Sequence, residues 1–492
     1  MQGVPAKAAG GVPAVKPGAM AASRPHRAEP AEQTPLGFPD ALLPDWQERA
    51  VTRMGELVAG NRALRVAMDA CMHCGACTDK CHYYLGTGDP LNMPVARQEL
   101  FRSVWRRHHT LIGRLAPWLV GAKDLDEEML ELWYSYFHQC SQCRRCAAFC
   151  PVGIDTSEVS MAAREIMAHI GMGQRYSHQV VAKVHATGNN LGLPEPALRD
   201  TLEGLEEDLL EACGVPVRLP LDEPGAEVLL VTPSADFFAE PHVDGLMGYA
   251  KVFHQAGVSW TLSTVAAEAA NFGLFIGSED NMRRIALRVR EAAESLSVKR
   301  IVFGECGHAW RVAYNMLHDL AGPFDFLDAR YPVPQHIVEV THALWRGGAI
   351  RFDPRANDHR RLTFHDSCNV ARASSMGGVV GGQFTLPREL LHAAGNHVFE
   401  MRRGTTHGET FCCGGGGGLL TDELLELRVK GASPRMDALG EQVECNGVTH
   451  LVAICAICKS QFAKVMPRYG MEFDQVLSLH QVVGDALVMG HG

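Results

Sequence analysis

The chain has 492 residues, 46% of them hydrophobic and 21% charged, enough for two or three domains with cores of their own. A net charge of −10 argues against a nucleic-acid partner, which favours a basic face. No run of eighteen apolar residues occurs, so no membrane-spanning helix is expected.

Residues 1–36 are rich in Ala, Gly and Pro, with Lys7, Lys16, Arg24 and Arg27 scattered and no apolar signal core. Residues 1–45 are therefore expected to form a disordered or partner-binding arm. Sixteen cysteines in a chain without a recognisable leader point to metal rather than disulfides. Residues 71–81 read CMHCGACTDKC and residues 140–151 read CSQCRRCAAFCP. Both carry the spacing C-x2-C-x2-C-x3-C, in which three thiolates wrap one [4Fe–4S] cluster and the fourth reaches the other. Cys71, Cys74 and Cys77 are thus expected with Cys150, and Cys140, Cys143 and Cys146 with Cys81. Zinc or disulfides use C-x2-C pairs too, but two copies of the full register favour two cubane clusters. Pro151 follows the second motif, whereas His82 takes that place after the first.

Between the motifs, Leu125, Met129, Leu132, Trp133, Tyr136 and Phe137 recur at helical spacing. After Cys150, a helix capped by Asp155 or Thr156 is expected to bury Val159, Ala163, Ile166 and Ile170. Residues 46–175 then form a helical two-[4Fe–4S] domain, and 176–225 a helical linker.

Past residue 226 strands alternate with helices, which argues α/β layers. EVLLVT (227–232) and KRIVFGEC, ending at Cys306, are strand candidates, with an amphipathic helix at about 281–296 before the second. The order recurs in RLTFHDSC, ending at Cys368, and HLVAIC, ending at Cys455. The repetition divides this region into lobes 226–350 and 351–492. The second lobe holds Cys368, Cys412, Cys413, Cys455 and Cys458; the first keeps Cys306, with Ser234 near the place of Cys368 and residues 271–273 near that of the double cysteine. The fold class expected is α+β multidomain: a helical two-cluster ferredoxin domain followed by a duplicated α/β cysteine-rich domain.

The stretch GETFCCGGGGGLL (408–420) sets two thiols side by side before five glycines. With Cys368 before it and Cys455 and Cys458 after it, this resembles the CCG motif of heterodisulfide reductase-like proteins. Together with the two ferredoxin motifs, the chain resembles the D subunit of membrane-bound heterodisulfide reductase. YFHQCSQCRRCAAFCPVGIDT, GECGHAWR and FHDSCNVAR resemble still more the K subunit (DsrK) of the DsrMKJOP membrane complex linked to dissimilatory sulfite reductase. The resemblance covers about residues 40 to 485. It implies a third, non-cubane [4Fe–4S] cluster held by Cys368, Cys412, Cys413, Cys455 and Cys458. Gly414 and Gly415 would bring bare backbone close to that cluster and leave room for a sulfur substrate.

Among single residues, Cys306 is expected to face the third cluster, with Glu305 and His308 flanking it at a strand end, where α/β sites sit. The alternative is a buried, inert thiol. His365 and Asp366 are candidate proton donors to a leaving thiolate, or else loop caps. Lys459 is read as a helix-start side chain or as an offset to an anionic cluster. His73, His82 and the RRHH run at 106–109 are expected at the surface.

The resemblance implies an oxidoreductase acting on sulfur groups, at the cytoplasmic face of the membrane. It would exchange electrons between the quinone pool, reached through a DsrM-like integral membrane subunit, and a sulfur–sulfur bond of the carrier protein DsrC. Other subunits of the complex would bind it, and no nucleic acid would. Two alternatives stand: a reductase of a small CoM-S-S-CoB heterodisulfide, and a non-catalytic iron–sulfur relay of a flavin oxidase complex.

Overall fold

The computed structural model describes residues 16–268 and 270–490. The chain divides into two compact units. The first comprises 1–182, 272–278 and 411–437; the second comprises 183–271, 279–410 and 438–492. This partition cuts across the sequence boundaries, because 272–278 and 411–437 group with the helical N-terminal region.

The first unit is helical. Its main helices are α1 (Trp46–Gly60), α2 (Arg62–Ala70), α3 (Pro94–His109), α4 (Glu127–His138) and α5 (Thr156–His169). Side-chain caps set three of the starts. The Asn61 side-chain carbonyl accepts from Ala63 N, Asp126 from Met129 N at 2.8 Å, and Asp155 from Ser157 N at 2.9 Å. Asp155, not Thr156, is therefore the cap of α5. Val159, Ala163, Ile166 and Ile170 are fully buried, as their spacing requires. Trp133 stacks on Phe101 at 5.2 Å and meets Phe137 edge-on at 5.5 Å, forming the aromatic centre of this core.

Of the expected N-terminal arm, residues 1–15 lie outside the described residues. The part from 16 onward is laid along the first unit. Met20 N donates to Asp89 Oδ2 at 2.8 Å, and Gln139 Nε2 donates to Met20 O at 2.8 Å. Tyr136 OH donates to the same Asp89 oxygen at 2.7 Å. A polar, Ala-rich segment is ordered here by hydrogen bonds to buried side chains, which composition does not reveal.

The second unit holds two four-stranded parallel sheets. One contains β1 (Val228–Val231), β2 (Trp260–Thr261), β3 (Arg300–Phe303) and β4 (Gln335–His336). The other contains β5 (Leu362–His365), β6 (Val398–Phe399), β7 (His450–Ala453) and β8 (Val476–Ser478). Their orders are β2-β1-β3-β4 and β6-β5-β7-β8, so the second sheet repeats the topology of the first. The four central strands are the four that the sequence pattern marked. Val228 to Val231 and Leu362 to His365 are wholly buried, as strands covered on both faces must be.

Helices α6 (His242–Ala256), from the first lobe, and α9 (Leu479–Ala486), from the second, cross at glycines. A Cβ on Gly248 would lie 1.9 Å from the His480 carbonyl oxygen, and one on Gly484 2.9 Å from Gly248 Cα. Only glycine permits that approach.

Candidate iron–sulfur and thiol sites

The two ferredoxin-type loops share one backbone conformation. In the first, His73 (φ 56°) precedes Cys74 and Gly75 (φ 77°) follows it. In the second, Gln142 (φ 56°) precedes Cys143 and Arg144 (φ 61°) follows it. Left-handed residues on either side of the second cysteine curl the chain, so that successive thiols face one side.

Two cavities in the first unit result. Cys71, Cys74, Cys77 and Cys150 line one. Cys81, Cys140, Cys143 and Cys146 line the other, together with Arg97. This is the crossed grouping expected from the spacing, and the donor set fits four-iron clusters. Burial pushes the Cys77 thiol up to about 11 and Cys146 higher still. Thiolates in such places need a metal's positive charge. Arg97 is buried beside the second cavity, its Nε donating to Tyr136 O at 2.8 Å and its Nη2 to Asn92 Oδ1 at 2.7 Å. Burial disfavours its charge, but the thiols of Cys140 and Cys81 favour it more.

His82 is buried, not at the surface. Its Nδ1 lies 2.8 Å from Gly431 O, which can only accept, so Nδ1 carries the proton; Ser141 Oγ then donates to Nε2 at 2.7 Å.

The glycine run is also part of the first unit. Cys412 and Cys413 are buried, and Gly414 N donates to Cys412 Sγ at 3.4 Å. Gly414, Gly417 and Gly418 have positive φ of 95°, 68° and 83°. A Cβ on Gly417 would lie 2.7 Å from Cys140 O. Arg164, buried, donates to both Gly417 O and Cys140 O at 2.7 Å, and Tyr83 OH donates to Gly414 O at 2.6 Å. The run thus packs against the second ferredoxin loop. Gly415 is buried with its neighbours.

The other thiols gather in the second unit, at the C-terminal ends of its central strands. Ser234 follows β1, and Cys368 follows β5, each three residues on. Cys306 is the N-cap of α7 (Gly307–Ala321) after β3, and Cys455 the N-cap of α8 (Ala456–Val465) after β7. These equivalent thiols meet. Cys306 donates a hydrogen bond to the Cys455 sulfur, which holds Cys455 well below the usual thiol range and pushes buried Cys306 up. Cys458 also bonds to Cys455. A Cβ on Gly307 would lie 3.6 Å from Cys455 Sγ and 3.1 Å from Val370, so the glycine admits the approach.

His308 completes the group, its Nδ1 3.7 Å from Cys455 Sγ. Its tautomer follows from its neighbours. Arg311, a donor only, fixes Asn369 Oδ1 as acceptor at 3.3 Å. Asn369 Nδ2 must then donate to His308 Nε2, at 3.0 Å, leaving the proton on Nδ1 and pointed at the sulfur. The same amide lies 3.6 Å from Cys368 Sγ. Arg311 and Asn369 lie inside the stretches GECGHAWR and FHDSCNVAR, but nothing in the sequence singles out their part in fixing the His308 tautomer.

Lys459 lies in the first turn of the helix after β7 and is fully buried. Its Nζ lies 3.5 Å from Glu305 Oε2 and donates to Ser478 Oγ at 2.7 Å. Glu305 Oε1 accepts from His480 N at 2.9 Å and lies 2.7 Å from His480 Nδ1. Burial alone would raise this carboxyl, but Lys459 and His480 outweigh it and hold it at about 2.

Asp366 makes a bidentate pair with Arg388, at 2.8 Å to each oxygen, and accepts from His407 N at 2.7 Å. Burial opposes ionisation, yet Arg388 keeps the carboxyl below its usual range. A carboxylate held so is a poor proton donor, so the ion pair argues for a structural role. His365, at the end of β5, is buried with its ring edge-on to Phe462 at 4.9 Å.

A family model described as a 4Fe-4S dicluster domain matches residues 67–154. The chain is 37% identical over 482 residues to an "Hdr-like menaquinol oxidoreductase iron-sulfur subunit" of Archaeoglobus profundus, covering 92% of this chain and 85% of that one. It is 36% identical to "Hdr-like menaquinol oxidoreductase iron-sulfur subunit 2" of Archaeoglobus fulgidus, with the same coverage. It is 24% identical over 402 residues to the D subunit of the dihydromethanophenazine:CoB–CoM heterodisulfide reductase of Methanosarcina barkeri, covering 80% and 87%. No solved structure matches the chain.

Proposed function

The chain belongs to the Hdr-like menaquinol oxidoreductase iron–sulfur subunits, and on that premise we propose that it is the catalytic subunit of a membrane-associated complex that exchanges electrons between the quinone pool and a sulfur–sulfur bond. The substrate in this reading is the DsrC trisulfide or disulfide. A DsrM-like quinone-reactive membrane subunit and further subunits hold the chain at the cytoplasmic face. Among the described residues no helix is long and apolar enough to cross a membrane, so such a partner supplies the spanning part.

Cys71, Cys74, Cys77 and Cys150 hold one cubane cluster, and Cys81, Cys140, Cys143 and Cys146 the other. Cys368, Cys455 and Cys458 are ligands of a third, non-cubane cluster. Cys412 and Cys413 join that set on the motif alone. When bound, the clusters supply one-electron transfer. The shared strand order and the matching positions of Cys306 and Cys455 support reading the two lobes as copies of one cysteine-rich unit.

One observation carries the sulfur chemistry: the buried, hydrogen-bonded thiols Cys306, Cys455 and Cys458 with the His308 N–H aimed at them. Reducing a disulfide to two thiols consumes two electrons and two protons. Cys306 and His308 each hold a proton at this place, on Sγ and Nδ1. Lys459, buried beside Cys458, offsets negative charge.

The test is reduction of DsrC disulfide by the intact complex with a menaquinol analogue. Cys306→Ala, with its iron retained, is expected to lose about a hundredfold in rate. An undiminished rate removes Cys306 from the reaction. The likeness to the heterodisulfide reductase of Methanosarcina barkeri favours one second reading, a small heterodisulfide substrate. CoM-S-S-CoB in the same assay distinguishes the two, and turnover of neither substrate leaves only an electron relay.

A further inference from the structure

Between α3 and α4 the chain makes a projection that neither the fold nor the thiol chemistry uses. A short helix, Leu111–Leu115, is followed by a 3-10 turn, Pro117–Leu119. Five large apolar side chains stand in water here: Leu111 is 73% exposed, Ile112 56%, Leu115 72%, Trp118 76% and Leu119 71%. Scattered exposed apolar residues are ordinary, but five within nine positions are not.

The projection is firmly built. Thr110 Oγ1 accepts from Gly113 N at 3.1 Å, starting the short helix. Arg114 Nε donates to His108 O at 2.8 Å, Ala122 N to Pro117 O at 2.9 Å and Lys123 N to Ser103 O at 3.1 Å. A Cβ on Gly113 would lie 1.9 Å from Arg106 O, so the turn sits directly on the end of α3. A segment so tied back holds its apolar side chains outward against the hydrophobic effect.

Charge identifies what they meet. The chain carries a net −10, yet residues 100–123 contain no Asp or Glu. The same stretch has Arg102, Arg106, Arg107, Arg114 and Lys123; Glu99 and Asp124 at its edges pair with Arg102, Arg106 and Arg107, and Arg114 and Lys123 are the cations that stand exposed beside the tip. Leucines and a tryptophan at the tip with cations at the base match the interface of an anionic bilayer, where Trp sits at headgroup depth and basic side chains meet phosphate. We propose that residues 110–120 insert directly into the surface of an anionic lipid bilayer. An apolar tip formed from one segment, residues 110–120, which carry no acidic side chain, fits lipid better than a protein partner's mixed-charge face. Lipid contact of this kind orients the chain at the membrane independently of its partner subunits and of the sulfur chemistry.

The test is flotation of the purified, cluster-loaded full chain with vesicles. Equimolar phosphatidylglycerol and phosphatidylcholine is compared with phosphatidylcholine alone. The chain is expected to float with the anionic vesicles, less with the neutral ones, and less again at high salt. Leu115→Ser combined with Trp118→Ser should cut the bound fraction about tenfold, and Arg114→Glu should cut binding to anionic vesicles alone. These side chains are exposed, and unchanged iron content and circular dichroism confirm that the variants fold. No flotation with either vesicle, or flotation unchanged in the double variant, overturns the proposal. So does a photo-crosslinker at position 118 that, in native membranes, captures a protein and no lipid.

Discussion

His308 Nδ1 lies 3.7 Å from the sulfur of Cys455, with its proton held on that side by Asn369 at the other nitrogen. An N–H directed at a ligand sulfur stabilises the more reduced state of the metal centre it belongs to. His308→Ala is therefore expected to lower the midpoint potential of the signal assigned to the third cluster by on the order of 60 mV, the equivalent of one hydrogen bond. Asn369→Ala should move it the same way by less. An EPR-monitored redox titration measures both, and identical potentials in wild type and His308→Ala contradict the assignment.

The crossed cysteine cavities make a second prediction. Cys150 lines the cavity of Cys71, Cys74 and Cys77, although it closes the other motif in sequence. Cys150→Ser and Cys74→Ser should each abolish the same low-temperature EPR signal and about four irons. Cys81→Ser should pair with Cys143→Ser in the same sense. Loss of one signal in Cys150→Ser and a different one in Cys74→Ser rules out the crossed arrangement.

The two cysteine loops were readable from spacing because each motif is local: eleven residues carry its turns and its four sulfurs. The central strands were readable for a similar reason, since a buried parallel strand is a short apolar run. The edge strands β2, β4 and β6 are two residues long and β8 is three, too short for any periodicity to register. Contacts between distant residues left no trace. Arg388 stands 22 positions beyond Asp366, so the ion pair that holds an acid read as a proton donor or a loop cap is not announced by the residues around it. Glu305 lies in the turn after β3, Lys459 in the helix after β7 and His480 in the C-terminal helix, and nothing in any one of these segments signals a buried charge network. The grouping of Cys412 and Cys413 with the helical unit was equally invisible, because it depends on contacts of 411–437 with residues far upstream.

The first lobe offers a test by pH. Glu268 is buried, its Oε1 accepting from Ser234 N at 2.8 Å and Ser234 Oγ at 2.6 Å. Burial raises its carboxyl from 4.5 to about 7, against the opposing hydrogen bonds from Ser234. The folded state thus binds the proton more tightly than the unfolded one. The resulting stability is full below about pH 4.5 and is lost as pH rises through about 7. The change amounts to about 3 kcal/mol. Glu268→Gln carries no such proton. Its stability relative to wild type should therefore improve between pH 5 and pH 8, as read from denaturant midpoints of the second-unit transition. A pH-independent difference contradicts the raised carboxyl.

The Asp366–Arg388 pair is nearly excluded from water on the acid's side, where Asp366 is 2% exposed and Arg388 12%. Removing the cation strands a buried carboxylate. Arg388→Ala is expected to cost about 3–5 kcal/mol. Asp366→Asn combined with Arg388→Met should recover part of that loss. Thermal unfolding of the three proteins decides it, and an Arg388→Ala variant as stable as wild type means the pair is exposed in solution.

The central claim is that sulfur chemistry takes place at a third cluster. The direct measurement is anaerobic purification, an iron count, and EPR of the oxidised protein with and without the reduced two-cysteine carrier DsrC. About twelve irons per chain are expected. The carrier should elicit a new paramagnetic signal that is absent in Cys413→Ala. Iron near eight per chain, with a spectrum that no thiol alters, would contradict the account.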